Sequence, residues 1–298
     1  MEELSTERVL ADLKLTRGLT IQMLAIGTLG MLVGWTLFSG LYQFTTGNVV
    51  TFQFAPESVG WLATPVNILV LVFLGTAILV PHEWLHGLAI RYYGGEPHYG
   101  VGVAHFILPY AYATTDHEFT RNQFIVVLLT PLVVMTLVGI PLMILFEWGW
   151  LAIPLTLNAA GAVADIWMTL IVVSYPAHTR IVDYETGVRI LGRNSDTPRS
   201  LSITSLVWDA LAGAAVALFA VGILLALAGP ILLSALGVES VTVGTPGTIT
   251  YLFAFVNTAE EISISLGPGV LSVGGLIGLL YAFIRSYRRS RRAPMDAA

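Results

Sequence analysis

A chain of 298 residues that is 55% hydrophobic and only 11% charged, with mean hydropathy +0.78, is not a soluble globular domain; those carry about 25% charged residues. With no cysteine, disulfides and thiol chemistry are excluded. A net charge of -5 offers no basic face for nucleic acid.

The composition points to an all-α membrane protein, and the order of apolar runs predicts about six transmembrane helices. Residues 1–18 set Leu4, Val9, Leu10, Leu13 and Leu15 among charges, which suits a short interfacial helix or a solvated tail. The apolar run after them is too long for a signal-peptide core and reads as a retained anchor. The first span covers 19–41, and a loop without Lys or Arg covers 42–60. The second span starts near Trp61, stays apolar to Val80, and continues through Pro81-His82-Glu83-Trp84-Leu85-His86 to Tyr93. Gly94-Gly95 then ends the helix. Residues 98–115 alternate glycine, β-branched and aromatic positions, which predicts a β-hairpin or small sheet with a turn at Pro109.

The third span covers 122–146 and should kink at Pro131 and Pro141. Trp148 and Trp150 mark an interface. The fourth span, 151–175, carries Asn158 and Asp165, and a polar segment with four arginines covers 176–202. The fifth span covers 203–228 and stops or breaks at Gly229-Pro230. A loop covers 236–267, and the last span, 270–284, runs into a basic tail. Three regions follow: 1–60 as an interfacial segment with the first span, 61–200 as a metal-binding core, and 201–298 as two C-terminal spans and the tail.

All 14 basic residues sort to one side of this arrangement. By the positive-inside rule both termini and the motif end of the second span are cytoplasmic. Thirteen arginines against one lysine, with much Gly, Ala, Val and Thr, suggest the cell membrane of a prokaryote with a GC-rich genome.

The motif carries the chemistry. His82 and His86, four apart, lie on one face of a helix. Glu83 beside them makes the His-Glu-x-x-His pattern, two Zn²⁺ ligands and a carboxylate that handles a water's proton. Zinc needs a third protein ligand, and His98, His105, Asp116, His117, Glu118, Asp165, His178 and Asp209 are candidates. Depth favours Asp165: it and the histidines lie at similar distances inside the same ends of their helices. A carboxylate so deep needs a compensating partner; two metal-binding histidines provide one, and an arginine is the bland alternative. Asn158, two turns before Asp165, faces the same way and suits the cavity or an interhelical hydrogen bond. His105, His117 and His178 read as locally bonded loop residues, and Asp209 as solvated at an interface.

The helix with His82, Glu83 and His86, the Gly-Gly turn, the β-like stretch, and Asn158 with Asp165 on a later span resemble site-2 protease-type intramembrane zinc metalloproteases. More closely, residues 81–190, including Tyr112-Ala113-Thr114-Thr115, Asn122-Gln123-Phe124, Asp183 and Gly187, resemble a family of polytopic membrane proteins described as zincin peptidases. The resemblance implies that His82, His86 and Asp165 bind zinc and that Glu83 is the general base. It departs from the site-2 pattern in having no proline between Asn158 and Asp165, and Ile166 after the aspartate.

The expected activity is hydrolysis of peptide bonds in transmembrane or membrane-associated proteins, with lipid as the other partner. Substrate would add as a strand to the edge at Tyr99, Val101, Val103 and His105. The rival reading is a non-proteolytic scaffold keeping a structural zinc; a transporter-like bundle with a coincidental motif is a third.

Overall fold

The structure is a computed structural model and describes residues 8–50, 63–104, 108–184, 187–196, 202–258 and 262–292. Among the described residues, six helical stretches are long and apolar enough to cross a membrane: Arg17–Thr46, Ile68–Tyr92, Arg121–Leu145, Gly149–Val172, Ser205–Ala235 and Gly269–Arg289. Their outward faces carry large apolar side chains, among them Leu32, Leu37, Leu69, Phe73, Leu137, Leu227, Ile231 and Phe283. Exposed apolar surface on this scale is foreign to a water-soluble monomer. The chain divides into two compact units, Met1–Ser200 and Leu201–Ala298.

The first unit begins with strand β1, Arg8–Lys14, where an interfacial helix was the expectation. β1 pairs antiparallel with β6 (Gly187–Gly192), and the register shifts between Val9 and Ala11. That bulge explains the misleading pattern. It inserts one extra residue, so Leu10 and Leu13, three apart as on a helix, both pack on the core of a strand. Helix α1, Arg17–Thr46, follows directly, with the Thr16 hydroxyl accepting from the Leu19 N–H at its start and Gly47 at φ 76° ending it.

The second span consists of α2, Ala63–Ala77, and α3, Leu79–Tyr92. Ile78 N–H still bonds the Leu74 carbonyl and His82 N–H the Ile78 carbonyl, so the path is continuous. The interruption has a local cause: Pro81 has no N–H for the Ala77 carbonyl, and its ring crowds that oxygen. At the other end Gly95 N–H bonds the Ile90 carbonyl and Gly94 N–H the Arg91 carbonyl, a Schellman cap. Gly94 sits at φ 91°, which favours glycine.

Strands β2, His98–Ala104, and β3, Leu108–Thr114, form an antiparallel ribbon. Pro109 is not at its turn; it lies within β3, opposite Val103. A two-stranded ribbon has outward-facing positions where a missing N–H costs no ladder bond. Strand β4, Glu118–Thr120, leads into α4, Arg121–Leu145, through a capping box: Gln123 N–H to the Thr120 hydroxyl, Thr120 N–H to the Gln123 side chain. The fourth span is two helices, α5 (Ala152–Gly161) and α6 (Val163–Val172).

The polar segment after the fourth span forms β5, Arg180–Tyr184, and β6, which complete a four-stranded sheet in the order β1-β6-β5-β4. Ile90 and Ala89 from α3, Phe124 and Val127 from α4, Val172 from α6, and Ile181, Val188 and Ile190 from the sheet make one buried core. That core anchors the C-terminal end of α3, and the motif with it, on the sheet.

In the second unit α7, Ser202–Ile223, passes through a π turn at Leu224–Ala228 into α8, Gly229–Ala235. The helix is not ended at Gly229-Pro230: the wider turn accommodates the missing N–H of Pro230. The expected loop after it is instead a three-stranded sheet of β7 (Ser240–Val243), β8 (Phe253–Asn257) and β9 (Ile262–Leu266). Helix α9, Gly269–Arg292, crosses α7 closely, because a Cβ on Gly278 would lie 2.3 Å from the Ala210 carbonyl oxygen. Asp209 is 1% exposed rather than solvated, and Arg285 and Arg289 of α9 both bind its carboxylate. An all-α fold with one hairpin therefore understates the chain: its described residues form nine strands in three sheets beside the helices.

Candidate metal centre

Helix α3 places His82 and His86 one turn apart with ring centroids 5.0 Å from each other. Both residues are only 7% exposed. Each imidazole is held at Nδ1. His82 Nδ1–H donates to the Asn158 side-chain oxygen at 2.8 Å, and Asn158 in turn reaches the Pro131 carbonyl oxygen at 3.5 Å. His86 Nδ1–H donates to the Val127 carbonyl oxygen at 2.8 Å. That oxygen is available for a reason written in the sequence. In an α-helix it would accept the N–H four residues on, and that residue is Pro131, which has none.

With Nδ1 engaged, Nε2 of each ring carries the lone pair, and both point at Asp165. The separations are 3.3 Å from His82 Nε2 and 3.6 Å from His86 Nε2 to the two carboxylate oxygens. These are long for charge-assisted hydrogen bonds, which favour about 2.7–2.9 Å. They match another geometry, since atoms ~2.1 Å from a shared tetrahedral zinc lie about 3.4 Å apart. One ligand atom from each of His82, His86 and Asp165 can be chosen so that all lie within 4.8 Å of one another. Two neutral imidazoles with fixed tautomers and one carboxylate are a donor set that suits Zn²⁺ and leaves a coordination position open.

The break between α5 and α6 positions the third member. It puts Asp165 in the first turn of α6, where the helix N-terminus favours a carboxylate, and leaves Asn158 on α5 facing His82. Glu83, next to His82 on α3, is half-buried and lines the same cavity. That cavity holds about 700 Å³ and has mostly apolar walls, including Leu19 and Met23 of α1, Leu157 of α5, and Trp167 and Met168 of α6.

The hairpin meets the cavity with β3, not β2. Tyr110, Ala111, Tyr112 and Ala113 line it, and among the described residues none of β2 does. Tyr99 instead packs behind the motif, its hydroxyl 1.8 Å from where a Cβ on Gly87 would stand. Val101 and Val103 are 85% and 62% exposed. The edge expected at Tyr99, Val101 and Val103 is thus the outer strand, and His105 lies outside the described residues.

The remaining candidates are elsewhere. His98 and Asp116 are exposed, His117 stacks edge-on against Phe119, Glu118 pairs with Arg180 at 3.1 Å, and His178 pairs with Asp196 at 2.8 Å. Two participants were not anticipated. The Val127 carbonyl was signalled only by the proline four residues later. Asp183 on β5, named from the resemblance without a role, also lines the cavity; loss of hydration pushes its carboxyl up to about 7.

Residues 75–180 match the model of a family described as "Putative zincin peptidase", a stretch that contains His82, Glu83, His86, Asn158 and Asp165. No curated protein and no solved structure matches the chain.

Proposed function

We propose that the chain is a membrane-embedded zinc metallopeptidase that hydrolyses peptide bonds of membrane-associated proteins. The observation that carries this reading is the convergence of His82 Nε2, His86 Nε2 and the Asp165 carboxylate beside Glu83 in one apolar-walled cavity. The family match over the same residues supports it. Zinc, when bound there, supplies a Lewis acid that polarises a carbonyl and makes a water more acidic.

The protein's own residues do the rest. Asn158 and the Val127 carbonyl fix the tautomer and tilt of the two rings, so the ligand atoms are arranged before metal arrives. Glu83 takes the proton of the attacking water and returns it to the departing amide nitrogen. The apolar walls keep bulk water away from the reacting groups and strengthen the electrostatics between them. Substrate lies extended along β3 at Tyr110 to Ala113 and adds as a strand to the ribbon, because a helical segment would hide its carbonyls.

A scaffold with a structural zinc has less support: such a site needs neither a carboxylate adjacent to its ligands nor a cavity leading to them. Metal content of the purified protein is the first test. One zinc per chain, lost in His82→Ala and Asp165→Ala, is the expected result; a metal-free protein under zinc-replete expression overturns the reading.

A further inference from the structure

Asp183 is a carboxyl group in the catalytic cavity that the hydrolysis does not use. It stands on β5, where its backbone pairs with Val188 of β6, one residue beyond the Arg180–Val182 stretch that β4 pairs on the other side. Asp183 lines the cavity together with His82, Glu83, His86 and Asp165, and feels the charges of His86 and Asp165. It is partly buried, yet among the described residues no lysine or arginine pairs with it. Lys14, the one such cation among the described residues that line the cavity, is engaged by Asp12 at 3.5 Å. A desolvated carboxyl without a countercharge is costly to the fold, and such groups concentrate at functional sites.

Resting on the peptidase reading above, we infer that Asp183 forms a substrate subsite for a cationic side chain, lysine or arginine, close to the scissile bond. The placement follows from β3. Glu83, Ala113 at the end of the cavity-lining stretch of β3, and Asp183 all line the one cavity. A substrate strand added along β3 advances ~3.3 Å per residue and passes both Glu83 and Asp183 in that cavity, so a side chain flanking the bond that faces Glu83 meets Asp183. An incoming ammonium or guanidinium supplies the countercharge that the described residues do not, and a neutral side chain brings none. The class of substrate fits. The helix that carries the motif has Arg91 in its last turn, and the segments of other membrane proteins that flank their spans on the basic side are rich in lysine and arginine.

The test measures binding, so it stands apart from turnover. Fluorescent extended peptides, identical except for lysine or norleucine at each of the positions flanking the central bond, are titrated into zinc-loaded Glu83→Gln full-length protein in detergent at pH 8. The lysine peptide is expected to bind about tenfold more tightly at one position. Asp183→Asn in the same background should erase that difference and leave the norleucine affinity within about twofold, with zinc content intact. Equal affinities at every position, a preference that survives Asp183→Asn, or no binding of either peptide by the folded, zinc-loaded protein overturns the inference. If the preference is present but wild type cleaves neither peptide, the subsite stands and the peptidase reading falls.

Discussion

His86 Nδ1 lies 2.8 Å from the Val127 carbonyl oxygen, and Pro131 is what leaves that oxygen free. A helix proline usually registers only as a kink. Here the bond it cannot make is given to a histidine on the facing helix, so the defect in α4 orients a metal ligand on α3. Asn158 does the same for His82 from α5.

Removing these supports should weaken metal binding without removing a ligand. Asn158→Leu keeps the volume but leaves His82 Nδ1–H buried and unpaired, and zinc affinity should fall about 10- to 100-fold. Pro131→Ala supplies a competing N–H to the Val127 carbonyl, and a smaller loss is expected. Chelator competition on the purified variants reads both. Wild-type affinity in Asn158→Leu would show that the ring needs no such support.

Asp165→Ala should release zinc altogether under mild chelation, since two imidazoles alone make a poor site. Asp165→Asn keeps a weak oxygen donor and should fall between. Full zinc in Asp165→Ala after dialysis against chelator would remove Asp165 from the ligand set.

Asp183 sets a pH dependence of stability. Burial pushes its folded value up to about 7, against 3.8 for the free side chain. Between those limits the folded protein holds a proton that the unfolded chain has released, so stability falls as pH rises through this window and is level above it. Asp183→Asn has no proton to lose. Its melting temperature should therefore exceed that of wild type by more at pH 8 than at pH 5, compared in detergent in one metal state. A gap independent of pH would contradict the assignment.

In the second unit, Gly278 faces backbone. A Cβ there would lie 2.3 Å from the Ala210 carbonyl oxygen and 2.8 Å from the Ala214 Cβ, so neither neighbour can swing aside. Gly278→Leu should force α7 and α9 apart at a cost of about 2–3 kcal/mol, seen as a lower denaturant midpoint. Gly275→Leu is the control, since a Cβ there meets nothing within 4 Å.

Long apolar runs are legible because twenty residues of hydrophobicity have few other uses, and all six emerged from the sequence as helices long enough to cross a membrane. The His82–Glu83–His86 spacing was legible for a related reason: four residues on a helix fix a face. Strand β1 was not, because its bulge gives Leu10 and Leu13 a helical spacing. Nor were β5 to β9: their runs are short, and although Phe-Ala-Phe-Val-Asn of β8 and Ile-Ser-Ile-Ser-Leu of β9 alternate as strands do, which runs pair is decided by tertiary contacts. Asp209 misled differently. Position along a span suggested solvation, but its partners Arg285 and Arg289 lie more than seventy residues away. The Val127 carbonyl escaped because it is backbone, and only the proline four residues on betrays it.

The most direct measurement is cleavage of an extended, lysine-containing transmembrane substrate by zinc-loaded wild type and zinc-loaded Glu83→Gln, side by side at equal metal content. Wild type should cut at a single site while Glu83→Gln loses activity by at least about 100-fold, the scale of a positioned general base. Equal cleavage by the two proteins, or none by wild type with a full complement of zinc, would contradict the assignment of Glu83 and of the peptidase.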